Sequence, residues 1–350
     1  MKNDILVSFC IPTYNRKTQL VELVDSILSI DRDNIEIVIT DNCSTDETLY
    51  ELSKVNDRRL KVYTNEAPLP ALQNMIQAIF NGSGKYIFYF NDREIAYPDK
   101  IRAFISFLED RQLAFVHVTQ KKKDTRNTCS FYRKGFESLL HQQCTHHPSG
   151  MVFNGELLRG KLKKEHYFSY LADQYTYSYL MRDMLQYGDS AIYDYGCWNQ
   201  RPPEYLKNTR SGSNTTKTLY FYPEISYVNV KDVFNQVFAE NDYGLSRTQR
   251  IDTAIYIGKY FAKRILDYKY YMMSDTETAH YQIDMRFVSY MEMCSIMNRY
   301  CRLTENLLEE YGFDKAAKKR WKAAEITAHL NNLKSSLYLY YKRYIRRMIW

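Results

Sequence analysis

The stretch Gly84-Lys85-Tyr86-Ile87-Phe88-Tyr89-Phe90, followed by Asn91-Asp92-Arg93-Glu94, constrains the fold more than any other. Its uncharged apolar and aromatic run is short and bounded by a glycine and a polar cluster, which predicts a strand buried on both faces. Such strands belong to helix-covered sheets, where chemistry gathers at the strands' carboxyl ends. Asp92 and Glu94 stand at such an end, spaced to aim two carboxylates at one hard divalent ion, Mg²⁺ or Mn²⁺. A solvated acidic turn fits the same four residues, so the segments upstream have to decide.

Those segments read as a parallel sheet under construction. Ile5–Ile11 predicts a first strand, and Leu20, Leu23, Val24, Ile27 and Leu28 recur at helical spacing behind it. Ile35–Thr40 predicts a second strand, and Ser44 with Glu47 reads as a capping box opening a helix. Lys61–Thr64 predicts a third strand, Ala71–Phe80 a helix, Pro98–Leu108 another helix, and Leu113–Thr119 and Ser190–Tyr195 further strands. Strands alternating with helices at this spacing indicate an α/β domain with a mainly parallel sheet.

The sequence changes character from about residue 216. Pro223 is the last proline, and Val228–Glu240, Thr248–Tyr271, Thr276–Tyr311 and Asp314 to the end carry helical periodicity. The expectation is two domains, residues 1–215 α/β and residues 216–350 all-α. The net charge of +7 is uneven: residues 315–350 hold ten Lys/Arg against Glu325, while the rest of the chain is slightly acidic. The terminal stripe Ile326, Leu330, Leu333, Leu337, Tyr341, Tyr344 and Met348 suits packing on neighbouring helices or pairing with a second copy of the chain over 326–337. Its basic end, 338–350, suits an anionic membrane surface. No recognised nucleic-acid motif accompanies the charge, so no nucleic-acid partner is expected.

Seven cysteines without CxxC spacing suggest neither a disulfide framework nor a zinc site, and point to a reducing cytoplasm. The apolar N-terminal run follows Asp4 and ends in Pro12-Thr13-Tyr14-Asn15-Arg16, which reads as a strand and not a signal peptide. No window of 18 apolar residues occurs, so no membrane span is expected.

Phe9–Arg16, Val38–Asp46, Gly84–Glu94 and Pro98-Asp99-Lys100, in this order, resemble the nucleotide-binding half of family 2 glycosyltransferases, over about residues 4–212. The resemblance implies a Rossmann-like GT-A domain and inverting transfer from a nucleotide-sugar donor, with UDP the expected nucleotide. It implies that Pro12, Thr13 and Tyr14 meet base and ribose, that Asp41 accepts a hydrogen bond from the base, and that Asn74 belongs to the donor site. Asp46 reads as no more than favourable charge in a helix's first turn.

The metal segment departs from the family's run of aspartates. Asp92 and Glu94 are the expected ligands of Mn²⁺ or Mg²⁺, and Arg93 supplies a second means of neutralising the diphosphate. Asp173 matches the family's catalytic base, although Ala172 stands where a glutamate is usual; a helix N-cap is its other reading. Trp198 is either an acceptor platform or core. The adjacent His146 and His147 point to opposite faces of an extended segment and are not expected to share a metal.

These implications give a cytoplasmic transferase, peripheral on the inner face of a membrane, acting on a lipid-linked saccharide in bacterial surface-polysaccharide assembly. A protein-linked glycan is the alternative acceptor. A non-catalytic nucleotide-sugar or glycan-binding partner of another transferase is the alternative of a different class.

Overall fold

The computed structural model describes residues 5–142, 147–168, 176–201, 223–271 and 289–340. The chain divides into two compact units, Met1–Arg210 and Ser211–Trp350.

The N-terminal unit is built on nine strands in the order β3-β2-β1-β4-β8-β6-β9-β5, with β7 also on β9. β1 (Val7–Thr13), β2 (Ile35–Asp41), β3 (Leu60–Thr64) and β4 (Tyr86–Tyr89) pair in parallel, with Thr13 opposite Asp41 and Cys10 opposite Tyr89. The remaining strands are β5 (Glu94–Ala96), β6 (Phe115–Gln120), β7 (Thr128–Tyr132), β8 (Met151–Asn154) and β9 (Ser190–Gln200). Here the expectation of a mainly parallel sheet gives way to a mixed one. β6 and β9 are parallel, but β8 runs antiparallel to both β4 and β6, and β5 and β7 run antiparallel to β9.

Helices α1 (Lys17–Leu28), α2 (Thr48–Ser53), α3 (Ala71–Asn81) and α4 (Pro98–Leu108) connect the first strands, followed by α5 (Phe136–Gln142), α6 (Gly155–Lys161), α7 (Lys164–Phe168) and α8 (Thr176–Met184). The predicted apolar faces are buried: Leu20, Leu23, Val24 and Ile27 of α1, and Ile101, Phe104, Ile105 and Leu108 of α4. The capping box expected at Ser44 and Glu47 does not form. Ser44 Oγ instead accepts the Asn15 amide at 2.9 Å, and α2 starts at Thr48, whose amide is capped by Asp46 Oδ1 at 3.0 Å. Asp46 thus holds the helix entry by hydrogen bonding from outside it, and not as a charge within its first turn.

β9 extends five residues beyond the strand expected at 190–195 because Gly196, at φ +61°, lets it pass Lys121 where a side chain would collide. β7 lies beside its first half and β5 beside its last three residues, which brings Trp198 to the edge that carries Glu94.

The C-terminal unit is helical in its described residues: α9 (Pro223–Asn235, continued by a π turn to Glu240), α10 (Arg247–Tyr271), α11 (Tyr290–Glu310) and α12 (Lys315–Tyr340). Ser289 and Glu292 form a capping box at the start of α11. α12 buries Ala317, Trp321, Ala324, Ala328 and Asn332. Ile326, Leu330, Leu333 and Leu337 point the other way and are exposed, so among the described residues this stripe is not part of the unit's buried core. The stripe's continuation at Tyr341, Tyr344 and Met348 lies outside the described residues.

Candidate active site

The carboxyl ends of β1, β2 and β4 meet at one edge, and the loops leaving them are knitted together. Asn15, at φ +51°, accepts the Thr45 amide on its side-chain oxygen at 2.7 Å, tying the loop after β1 to the loop after β2. The Asn42 amide donates to Thr13 O at 2.9 Å, and the Asn65 amide to Asp41 O at 3.0 Å. Asp41 is buried; its Oδ2 accepts the Ser44 amide at 3.0 Å, and its Oδ1 has no hydrogen-bond partner among the described residues. Pro12 and Thr13 end β1, and Tyr14 is exposed just beyond it. Asn74 faces inward: it accepts from Asn65 Nδ2 at 2.8 Å and donates to Thr40 O at 3.4 Å, so it positions the loop around Asp41.

Asp92 is buried and its two oxygens are both engaged. Thr13 Oγ1 donates to Oδ2 at 3.0 Å and Arg16 Nη1 to Oδ1 at 2.7 Å. A buried carboxylate requires such a partner. Arg16 therefore enters the site as a counter-charge that the sequence reading did not assign; its position three residues after Thr13, in the loop leaving β1, is the signal that was available.

Glu94 is wholly buried at the start of β5. Its Oε1 accepts from Asn91 Nδ2 at 3.2 Å and Ser149 Oγ at 3.3 Å and lies 3.7 Å from His147 Nε2. Its Oε2 has no hydrogen-bond partner among the described residues. Burial pushes the Glu94 carboxyl up to about 7, outweighing the Asn91 hydrogen bond and the Arg93 charge that favour ionisation. A carboxylate so placed, with one oxygen orphaned, fits a site that receives a cation. The two expected metal ligands thus differ: Asp92 is already neutralised by a guanidinium, and Glu94 is not.

Next to Glu94 a cavity of about 570 Å³ opens between the end of β6, the loop that follows it and β9. Its lining includes His147, Thr119, Lys122, Thr125, Asp194 and Trp198, and its size suits a small saccharide. Trp198 is almost fully buried, donates its indole N–H to Val118 O at 2.8 Å, and has His147 over it at 4.9 Å between ring centres. It is thus a core side chain that also contributes a wall of this cavity. Asp173 and Ala172 lie outside the described residues, as does His146.

Comparison with known proteins places this geometry. Residues 8–165 match the model of Glycosyl transferase family 2. An uncharacterized glycosyltransferase of Rickettsia conorii is 36% identical over 124 residues, covering 34% of this chain and 20% of that protein. The UDP-Glc:alpha-D-GlcNAc-diphosphoundecaprenol beta-1,3-glucosyltransferase WfgD of Escherichia coli is 27% identical over 115 residues, 33% of this chain and 46% of that one. The match spans about a fifth of the first relative's length and under half of the second's. S. aureus TarS 1-349, solved in complex with UDP, superposes with a TM-score of 0.54 at 14% identity, over 94% of this chain and 90% of that chain. That likeness establishes the GT-A fold. Over residues 8–165, the larger part of its N-terminal unit, this chain matches glycosyl transferase family 2.

Proposed function

We propose that the protein is an inverting glycosyltransferase that moves a sugar from a UDP-sugar to a saccharide acceptor, lipid-linked, in bacterial surface-polysaccharide assembly. The observation that carries this reading is the convergence of Thr13, Arg16, Asp41, Asp92 and Glu94 at the carboxyl edge of the sheet. The lipid-linked acceptor is supported by the name of the Escherichia coli relative, whose acceptor carries diphosphoundecaprenol.

In this reading Asp41 takes the base through its unpaired oxygen, and Pro12, Thr13 and Tyr14 flank base and ribose. Glu94, with Asp92 beside it, would hold Mn²⁺ or Mg²⁺, and a bound ion would neutralise the diphosphate as charge develops on the leaving nucleotide. Arg16, fixed by Asp92, and Arg93 add positive charge at the same edge. The acceptor occupies the cavity walled by Trp198 and His147. Its hydroxyl oxygen attacks the anomeric carbon as the bond to the diphosphate oxygen breaks, and Asp173 takes the hydroxyl proton.

The exposed stripe Ile326, Leu330, Leu333 and Leu337 has the 4-3-4 spacing of a coiled-coil seam, which supports pairing with a second copy. The basic end 338–350 supports attachment to an anionic leaflet, and hence a peripheral position on the inner membrane face.

The test is hydrolysis across UDP-, GDP-, CMP- and dTDP-sugars with Mn²⁺, comparing the wild type with Asp41→Ala, Glu94→Ala and Asp173→Asn. Slow release of UDP that is lost in Asp41→Ala supports the reading. Absence of both nucleotide binding and release from every donor overturns it in favour of a non-catalytic partner.

A further inference from the structure

The C-terminal unit brings three different metal-binding side chains together on two of its helices. Cys301 of α11 and Glu325 and His329 of α12 have ligand atoms that all lie within 4.8 Å of one another. They form the one group of three or more His, Cys, Asp or Glu side chains so clustered among the described residues. We propose that Cys301, Glu325 and His329 bind one zinc ion, which fastens α11 to α12.

The helical geometry explains why the three side chains meet. Trp321, Glu325 and His329 recur every four residues and so share one face of α12. Trp321 anchors that face, since its indole N–H donates to Cys301 O at 3.1 Å and its ring is buried. The same register brings the next turn of α12 past the Cys301 side chain. A cysteine sulfur, a carboxylate oxygen and an imidazole nitrogen are the donors that zinc accepts, and three protein ligands leave a fourth position for water. Magnesium and calcium, which prefer all-oxygen shells, are disfavoured by the sulfur.

The surroundings are those of a ligand set and not of a solvated charge cluster. Cys301 is buried, while Glu325 and His329 are half-buried at the rim, so an ion has a path from solvent to the sulfur. Lys322 Nζ lies 3.2 Å from Glu325 Oε2 and 2.9 Å from Glu305 Oε2. It therefore orients the Glu325 carboxylate while being held itself, as partners of ligating carboxylates commonly are. Binding replaces the thiol proton of Cys301 by the metal and releases that proton to solvent, with no change of oxidation state.

The experiment uses the full chain, stripped with EDTA and desalted, and titrates it with Co²⁺ as a spectroscopic probe for the zinc position. A near-ultraviolet thiolate-to-cobalt charge-transfer band saturating at one ion per chain, bleached by Zn²⁺, is expected. Cys301→Ser should abolish the band, while Cys294→Ser, one helical stretch away on α11, should leave it. His329→Ala, at a half-buried position where folding is not at stake, should weaken Co²⁺ at least about tenfold, because even an outer partner is worth about 10–100-fold. Cobalt held by Asp92 and Glu94 has no sulfur ligand and gives no such band, so the glycosyltransferase reading is tested separately. Absence of the band in the wild type, or a band that survives Cys301→Ser, overturns the proposal.

Discussion

Arg16 and Asp92, 76 residues apart in sequence, form an ion pair at 2.7 Å between Nη1 and Oδ1 at the carboxyl edge of the sheet. The pair fixes the loop after β1 against the loop after β4. Removing the arginine leaves a buried carboxylate with only the Thr13 hydroxyl, so Arg16→Ala should destabilise the protein by about 3 kcal/mol. Asp92→Asn should cost less, because an amide needs no counter-charge. The combined variant should be more stable than the two single effects summed predict. Urea unfolding of the four proteins measures this coupling, and additivity within about 0.5 kcal/mol would refute it.

Glu94 supplies a pH dependence of opposite sign to the usual carboxylate. Burial raises its carboxyl to about 7 from an ordinary value of 4.5. The folded protein therefore binds a proton that the unfolded chain has lost between those two values, and stability falls as pH rises through this window, by up to about 3 kcal/mol. Glu94→Gln should flatten this limb and exceed the wild type in stability at pH 8 when both are stripped with EDTA. Added Mn²⁺ should stabilise the wild type and leave the variant unchanged. Unfolding midpoints from pH 5 to 8, with and without Mn²⁺, decide the matter.

Glu36 produces the opposite dependence. It is buried on β2, accepting from Ser8 Oγ at 2.5 Å, from the Ser83 amide at 2.8 Å and from Ser83 Oγ at 2.7 Å, with Lys61 paired to it. Burial alone would raise its carboxyl, but the hydrogen bonds from Lys61, Ser8 and Ser83 outweigh it and the net shift is downward. Its contribution is thus fully present above the ordinary glutamate value and is lost as pH falls through the lowered one. Glu36→Gln should cost about 2 kcal/mol at pH 7, and the deficit relative to wild type should shrink toward pH 3. An unchanged deficit across that range would show that shape, and not charge, is what Glu36 contributes.

The sequence carried the fold and the site unequally, for physical reasons. β1, β2 and β4 were legible because their residues are buried on both faces, and a continuous apolar run survives any tertiary detail. β5 and β7 were not: three residues around Ile95 and the exposed Thr128–Tyr132 have no period of their own and exist by pairing with β9. Asp92 and Glu94 stood out by their place after a strand, and Asp41 only through the family resemblance. The partners that distinguish Asp92 from Glu94 were not, since Arg16, Ser149 and His147 arrive from loops far away in sequence. Trp198 shows the converse limit. A tryptophan beside polar residues reads equally as a platform or as core until its N–H is found donating to Val118 O.

Gly258 in the middle of α10 opposes two effects of known size. A Cβ built there would lie 2.5 Å from the ring of Trp321, below any contact that real side chains adopt, and 3.3 Å from Thr304 Cγ2. Trp321 is buried and tied to Cys301 O, and Tyr300, also buried, donates its hydroxyl to Gly258 O at 2.8 Å, so neither neighbour can give way freely. Alanine gains about 1 kcal/mol of helix propensity over glycine, whereas overpacking a filled core costs about 1–3 kcal/mol. The contact is severe enough to lie at the upper end of that range, so Gly258→Ala should lower the stability of the C-terminal unit by about 2 kcal/mol. Gly258→Ala combined with Trp321→Phe should recover part of the loss, because the smaller ring removes the colliding atoms. Thermal unfolding followed by tryptophan and tyrosine signals would report both effects, and a Gly258→Ala protein as stable as the wild type would mean that α10 stands further from α12 than this packing requires.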